Sequence, residues 1–256
     1  MNQNNKERLL QRLEAIGRSV AGTASGLALI GLGSVGIELD RLDAYSDLDF
    51  FVIVKPGYKQ VYLDDLNWLA SIGPIAYCFR NTADGYKLLY QDGIFCEFAV
   101  FEEEQLAGIP FTEGRIIWKA AGVDEAIGRP ACPVGQGEPR TVEWLLGEAL
   151  TCLYVGLCRY HRGEKLSAQR FIQHYAVDRV LELVEMEQPT AVLPPRDPFA
   201  VERRYEQRFP GTAVDLPAFI QGYERSCESA RALLVFLDQH FVVNPDIKAR
   251  ILALSG

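Results

Sequence analysis

Two aspartates one residue apart, Asp47 and Asp49, stand at the beginning of a hydrophobic run that extends to Val54. In a strand, residues i and i+2 project to the same face, so this spacing predicts two carboxylates side by side. Two adjacent anions repel one another, and a divalent cation is the usual counter-charge. The pair therefore predicts a site for a divalent cation.

A third carboxylate, Glu97, stands alone among apolar residues. In a strand its neighbours Cys96 and Phe98 face the opposite side. If that strand lies beside the run 48–54, Glu97 reaches the same site as the paired aspartates. Three carboxylates around divalent cations that also bind substrate phosphates are the arrangement of metal-assisted nucleotidyl transfer.

A glycine-rich segment, Gly31-Leu-Gly-Ser-Val-Gly36, follows the first predicted strand and allows two interpretations. It matches the G-x-G-x-x-G fingerprint of dinucleotide-binding folds. Those folds require a long helix after the glycines and an acidic residue at the end of the next strand. Here the next strand ends in Val54-Lys55-Pro56, and its acids lie at its beginning. The pattern favours the second interpretation, in which Gly33 and Ser34 belong to one motif with the paired acids Asp47 and Asp49.

The elements that position these residues follow from apolar spacing. Leucine, isoleucine and valine recur at helical intervals over residues 5–18, and β-branched and aromatic runs bounded by turn residues indicate strands. The Asp92-Gly93 dipeptide between two such runs predicts a hairpin. The expected elements are a helix over 5–18, strands over 27–32 and 48–54, a helix over 63–72, a strand over 75–80, a hairpin over 86–101 and an edge strand over 116–118.

The segment 128–140, with three prolines and three glycines, has the composition of a linker. Beyond it the apolar residues keep helical spacing around 145–157, 167–187 and 216–241. We therefore predict an α+β protein with a catalytic domain over 1–127, a linker over 128–139 and a helical substrate-binding domain over 140–256. The first domain is expected to hold a mixed sheet flanked by helices, and the second a helical bundle.

Composition excludes several classes of protein. The 256 residues include 48% hydrophobic and 23% charged residues, which is the usual composition of a globular protein and excludes a disordered, collagenous or low-complexity one. A net charge of −8 disfavours duplex nucleic acid as a partner, because proteins that bind it need clustered basic residues.

Six dispersed cysteines without a C-x-x-C pair suit a reducing compartment, so we expect a cytoplasmic protein. The uncharged stretch 19–37 contains five glycines and is expected to be a buried strand with loops, not a membrane span. A two-fold dimer is the commonest assembly among soluble oligomers, and we expect it here.

At this point the residues resemble a known family. Gly33-Ser34, a spacer and the run Tyr45-Ser-Asp-Leu-Asp-Phe-Phe51 look like the signature of the DNA polymerase beta-like nucleotidyltransferase superfamily. The order of the remaining parts is most similar to lincosamide nucleotidyltransferases and also to aminoglycoside ones. The resemblance is strongest over residues 25–120. Ser46, within the signature, is expected to contact the nucleotide.

The resemblance implies a role for each matching residue. Gly33 and Ser34 would hold the nucleotide phosphates, and Asp47 and Asp49 would bind magnesium. Glu97 would bind metal or act as the general base. The implied cofactors are two Mg²⁺ ions with ATP or another nucleoside triphosphate as co-substrate, and the implied acceptor is a small molecule with a hydroxyl group, such as a lincosamide or aminoglycoside antibiotic.

A basic cluster lies between two predicted helices of the second half, and it includes Arg162 and Lys165. One function of such a cluster is to bind the β and γ phosphates of the triphosphate. The alternative is a solvated helix end that is stabilised by the helix dipole. Lys165 is the first candidate for nucleotide binding, and Arg162 is the second.

The sequence thus predicts an enzyme that transfers a nucleoside monophosphate, AMP from MgATP, to an acceptor hydroxyl. Two alternatives stay open. An AMP-transferring protein modifier of the toxin–antitoxin type would use the same acids, whereas a nucleotide-binding regulator would keep the phosphate loop without turnover. A dinucleotide-dependent oxidoreductase is the third alternative, and it depends on the glycine fingerprint alone.

Overall fold

A computed structural model describes residues 2–43, 45–132, 140–188 and 196–256. The chain forms two compact units, Met1–Val134 and Gly135–Gly256. Residues 133–139 of the predicted linker lie outside the described residues.

The first unit is built on a six-stranded mixed sheet. The strand order is β3-β4-β5-β2-β1-β6, with β2 and β5 parallel and every other neighbouring pair antiparallel. Its elements are α1 (Asn2–Ala21), β1 (Gly26–Gly31), β2 (Leu48–Val54), α2 (Lys59–Asp64), α3 (Asn67–Ala70), β3 (Ile75–Arg80), β4 (Gly85–Tyr90), β5 (Phe95–Glu102) and β6 (Arg115–Lys119).

The two faces of this sheet differ in chemistry. Helix α1 buries Leu9, Leu13 and Ile16 at spacings of four and three residues, and these side chains pack with the strand residues of one face. Leu48 and Phe98 are among those strand residues. Because successive strand residues alternate between faces, the opposite face receives the polar residues at the beginning of β2 and β5 and, farther along the strands, the apolar residues of a second buried cluster.

The predicted helix over 63–72 differs from the structure. Two short helices, α2 and α3, replace it, and the chain is extended at Asp65 (φ −127°). The Asp65 carboxylate accepts a hydrogen bond from the Asn67 N–H at 2.9 Å. This local bond competes with the helical one, which explains the interruption.

The second unit is helical. Its elements are α4 (Val142–His161), α5 (Lys165–Arg170), a π-helical segment (Phe171–Ala176), α6 (Val177–Glu187), α7 (Tyr205–Arg208), α8 (Pro210–Ala213), α9 (Leu216–Phe219), α10 (Ser226–His240) and α11 (Pro245–Ser255). The apolar faces of α4, α6 and α10 form one core, with Leu153, Leu183 and Leu233 fully buried.

The helix predicted over 216–241 is interrupted between α9 and α10. Gly222 has a φ of 95°, a conformation that favours glycine. The side chain of Gln173 accepts a hydrogen bond from the Gly222 N–H at 2.9 Å and donates one to its carbonyl oxygen at 2.8 Å. Gln173 is buried, so these two bonds satisfy its amide and hold the bend in place.

The α+β class predicted from the sequence is confirmed, with a mixed sheet in the first unit and helices in the second. In the described parts of the chain, no helix combines the length and apolar character needed to cross a bilayer.

Candidate active site

Asp49 and Glu97 lie side by side across the parallel pair β2–β5. They are direct register partners, and paired strands are about 4.8 Å apart. Both side chains are partly exposed, whereas Leu48 and Cys96, the residues that precede them, are fully buried. The alternation predicted around Glu97 is therefore confirmed, and two of the three predicted acids share one open face.

The glycine-rich turn lies directly against Asp49. Gly33 begins a single 3₁₀ turn, Gly33–Val35, that also contains the partly exposed Ser34. The Leu32 N–H donates to the Asp49 carbonyl oxygen at 2.8 Å, which ties the turn to β2. Gly33 has a φ of 53°, and a Cβ atom there would lie 3.4 Å from Asp49 Oδ2. The turn thus leaves open space beside the carboxylate that a side chain at residue 33 would fill.

The conformation of the same turn also tests the hypothesis of a dinucleotide-binding fold. That fold needs a long helix after the glycines, with its N-terminus at the pyrophosphate. The chain instead forms a three-residue 3₁₀ turn after Leu32. The next strand, β2, is antiparallel to β1, whereas a Rossmann unit joins parallel strands. Both observations disfavour dinucleotide binding.

Asp47 precedes β2 and lines a cavity of about 290 Å³. The walls of the cavity also include Arg8 from α1, Asp92 from the β4–β5 loop and Phe95. Ser46 lines it too, but its hydroxyl is engaged within the loop: it donates to Asp43 Oδ1 at 3.1 Å and accepts from the Asp43 N–H at 2.9 Å. In this structure Ser46 therefore supports the loop before Asp47.

Glu97 has two hydrogen-bonding partners that the sequence analysis did not identify. Lys87 Nζ lies 3.1 Å from Glu97 Oε2, and Asn81 Nδ2 donates to Glu97 Oε1 at 3.0 Å. Lys87 is the register partner of Glu97 in the antiparallel pair β4–β5. The row Lys87–Glu97–Asp49 consequently crosses three adjacent strands on one face of the sheet.

The loop between β4 and β5 explains why Lys87 was missed. A two-residue Asp92-Gly93 turn would place Leu88 opposite Glu97. In the structure the Tyr90 N–H donates to the Ile94 carbonyl oxygen at 2.9 Å, so the loop has three residues and ends at Gly93 with a φ of 88°. The register between β4 and β5 therefore shifts by one residue, which places Lys87 opposite Glu97. The glycine in the left-handed position was the available signal.

The buried thiol of Cys96 responds to the nearby charges. Burial raises the pKa of Cys96, Arg12 opposes the shift, and the negative charges of Asp47 and Asp49 add to it. Cys96 therefore stays protonated at neutral pH and forms part of the apolar support under the two acids.

The donor set has the chemistry that a magnesium ion requires, since Mg²⁺ binds carboxylate oxygens and keeps the remaining positions for water and phosphate. Asp49 lies beside the open space at Gly33, and Asp47 comes two residues earlier. Within the described residues, no group of three or more His, Cys, Asp or Glu side chains is arranged to hold a metal ion. Asp47 and Asp49, two residues apart at the beginning of β2, are thus the candidate ligands for a magnesium ion.

Lys165 and Arg162 lie in the second unit. Lys165 Nζ is 2.6 Å from Glu224 Oε2 and contacts the rings of Tyr160 and Tyr223, and hydrogen bonding to Glu224 raises its pKa. Arg162 Nε is 3.3 Å from Glu164 Oε1. Both side chains thus have acidic partners within their own unit, and their role in nucleotide binding stays a prediction.

Comparison with known proteins gives a distant likeness in structure and none in sequence. No protein-family model and no curated protein sequence matches the chain. Among solved structures, the chain is similar to an aminoglycoside 6-adenyltransferase from Bacillus subtilis, with 11% sequence identity. The alignment covers 96% of this chain and 97% of that chain at a TM-score of 0.36. This likeness is too distant to assign a site, so we assign it from the residues of the chain itself.

Proposed function

We propose that the chain is a metal-dependent nucleotidyltransferase that moves AMP from MgATP to a hydroxyl group of a small molecule. The observation that carries the proposal is the pairing of Asp49 with Glu97 under the Gly33 turn. Distant segments bring two carboxylates and an open glycine turn together on one face of the sheet. A structural role does not require this combination.

The proposed metal would be held by Asp47 and Asp49. When bound, magnesium neutralises charge on the phosphates and orients the α-phosphate for displacement. Gly33 and Ser34 would accept the triphosphate, because the missing side chain at residue 33 leaves room beside Asp49. The cavity that Asp47 lines offers further space.

Glu97 would act as the general base. The oxygen of the acceptor hydroxyl attacks the α-phosphorus, and its proton passes to the Glu97 carboxylate. The bond between the α-phosphorus and the bridging oxygen breaks, and pyrophosphate leaves with the electron pair. Each Glu97 oxygen has a second lone pair available, so its bonds with Asn81 and Lys87 leave capacity for this proton.

The proposal is tested with thermal-shift titrations of ATP, GTP, CTP, UTP and NAD, each with magnesium and with EDTA. A ligand at about 100 times its dissociation constant adds about 2.7 kcal/mol of stability, a shift of a few degrees at this size. We expect a magnesium-dependent shift with ATP that Asp49→Asn abolishes. The control variant, Asp64→Asn, removes an exposed carboxylate of the same unit and should keep the shift.

A shift with NAD that ignores magnesium, or an ATP shift that survives in Asp49→Asn, would contradict the proposal. The acceptor is then identified by mass spectrometry of reactions that contain MgATP and either a lincosamide or an aminoglycoside. Addition of one AMP to either compound would name the acceptor class. A protein acceptor would show the same mass increase on a polypeptide.

A further inference from the structure

The two residues that bind Glu97, Lys87 and Asn81, affect how many metal ions the site can hold. A two-ion site needs a third carboxylate that is available to the second ion. Glu97 is the third acid of the candidate site, yet an ammonium group lies 3.1 Å from one of its oxygens and an amide donor 3.0 Å from the other. The positive charge of the ammonium group opposes the approach of a second divalent cation to the same carboxylate.

The backbone places Lys87 and Glu97 within reach of one another. The two residues are directly opposite in the β4–β5 pairing, where Cβ atoms are about 4.5–5.5 Å apart. The Asn81 amide is also oriented by Glu97: its nitrogen donates to the carboxylate, while its oxygen is buried without a hydrogen-bond partner among the described residues. Glu97 is thus held from two sides.

We infer that the Lys87 ammonium takes the place of the second divalent ion, so that the site binds one metal ion per nucleotide. This inference rests on the proposed function. The ion would belong to Asp47 and Asp49, while Lys87 neutralises Glu97 and keeps it from the metal. Lys87 is a positioning residue that acts through Glu97. The inference assigns Glu97 to proton transfer and not to metal binding.

The test counts metal ions directly and needs no acceptor. Mn²⁺ is titrated into the full chain in the presence of α,β-methylene-ATP, and free Mn²⁺ is measured by electron paramagnetic resonance. We expect one ion per protein–nucleotide complex in the wild type and two in Lys87→Met, because Glu97 then has an unneutralised charge. Lys87→Arg restores the positive charge and should return the count to one.

A matched control is available in the same unit. Lys59 forms an ion pair with Asp84 at 2.6 Å, so Lys59→Met removes one lysine and one ion pair without changing Glu97. Its count should stay at one. Lys87 and Glu97 expose 38% and 42% of their side chains, so Lys87→Met is expected to fold, and circular dichroism checks this.

Two ions in the wild type, or one ion in Lys87→Met, would overturn the inference and reduce the Lys87–Glu97 contact to an ordinary cross-strand ion pair. These results would leave the proposed function intact, since the nucleotide would still bind with metal. Failure of the proposed function has a different signature: α,β-methylene-ATP would show no manganese-dependent binding, or Asp49→Asn would bind it as the wild type does. That result would overturn both.

Discussion

Replacement of Gly33 by alanine tests two roles of the glycine turn, its left-handed backbone conformation and the space that it leaves for a phosphate. With a φ of 53°, residue 33 lies in the left-handed region, where a Cβ atom costs about 1–2 kcal/mol. Alanine also lowers the entropy of the unfolded chain, which offsets part of this cost. We therefore expect Gly33→Ala to lower the free energy of unfolding by about 1 kcal/mol, measured by urea denaturation.

The new methyl group would also lie 3.4 Å from Asp49 Oδ2, in van der Waals contact with the carboxylate. It would fill the space proposed for a phosphate. We expect the dissociation constant for MgATP, measured by isothermal titration calorimetry, to rise at least tenfold, equivalent to about 1.4 kcal/mol.

Gly57 provides the matched control. It has a φ of 83°, and a Cβ atom there would have no heavy atom of the described structure within 4 Å. Gly57→Ala should therefore lose stability through backbone strain alone and bind MgATP like the wild type. If Gly33→Ala and Gly57→Ala bind MgATP equally well, the turn does not hold the phosphates and the reasoning is wrong.

Two further predictions concern the second unit. In α4, a Cβ atom at Gly156 would lie 2.6 Å from Ile172 Cγ1, so Gly156→Ala should destabilise by about 1–3 kcal/mol in urea denaturation. Gly147 of the same helix has open space, so Gly147→Ala should instead stabilise by up to about 1 kcal/mol, and equal effects of the two variants would refute the packing argument. Burial, with the charge of Glu202, raises the pKa of Asp178 above its ordinary value of 3.8, so ionisation of Asp178 costs stability as the pH rises. Asp178→Asn should therefore have a higher Tm than the wild type at pH 7 and no advantage below pH 3.8; an equal gap at both pH values would contradict this.

The strand that carries Asp49 could be predicted closely from the sequence. Its bounds, Leu48–Val54, match the apolar run, because β-branched and aromatic side chains pack on a buried sheet and the following Lys55-Pro56-Gly57 ends it. The side of the sheet reached by Glu97 was equally predictable, since strand alternation depends only on sequence spacing.

The residues around Glu97 could not be predicted from the spacing of residues in the sequence. One extra residue in the β4–β5 loop changes which side chain lies opposite Glu97, and the Asp92-Gly93 pair is compatible with loops of two or three residues. The interruption at Gly222 was likewise hidden, because the bonds that hold it come from Gln173, 49 positions away in the sequence. Local sequence patterns predicted which helices and strands form, whereas long-range hydrogen bonds determined where they end.

The parallel pairing of β2 with β5 has a consequence for folding. Strands β1 and β2 are consecutive and antiparallel, so they can pair early, whereas β5 joins β2 only after the chain has passed through β3 and β4. Contacts between residues distant in sequence form late because loop closure must precede them. We therefore expect Asp49 and Glu97 to meet only after the local antiparallel pairs β1–β2, β3–β4 and β4–β5 have formed. A nucleotide that binds at this pair would couple its affinity to the insertion of β5, and would slow amide hydrogen exchange in β5 as well as in β2.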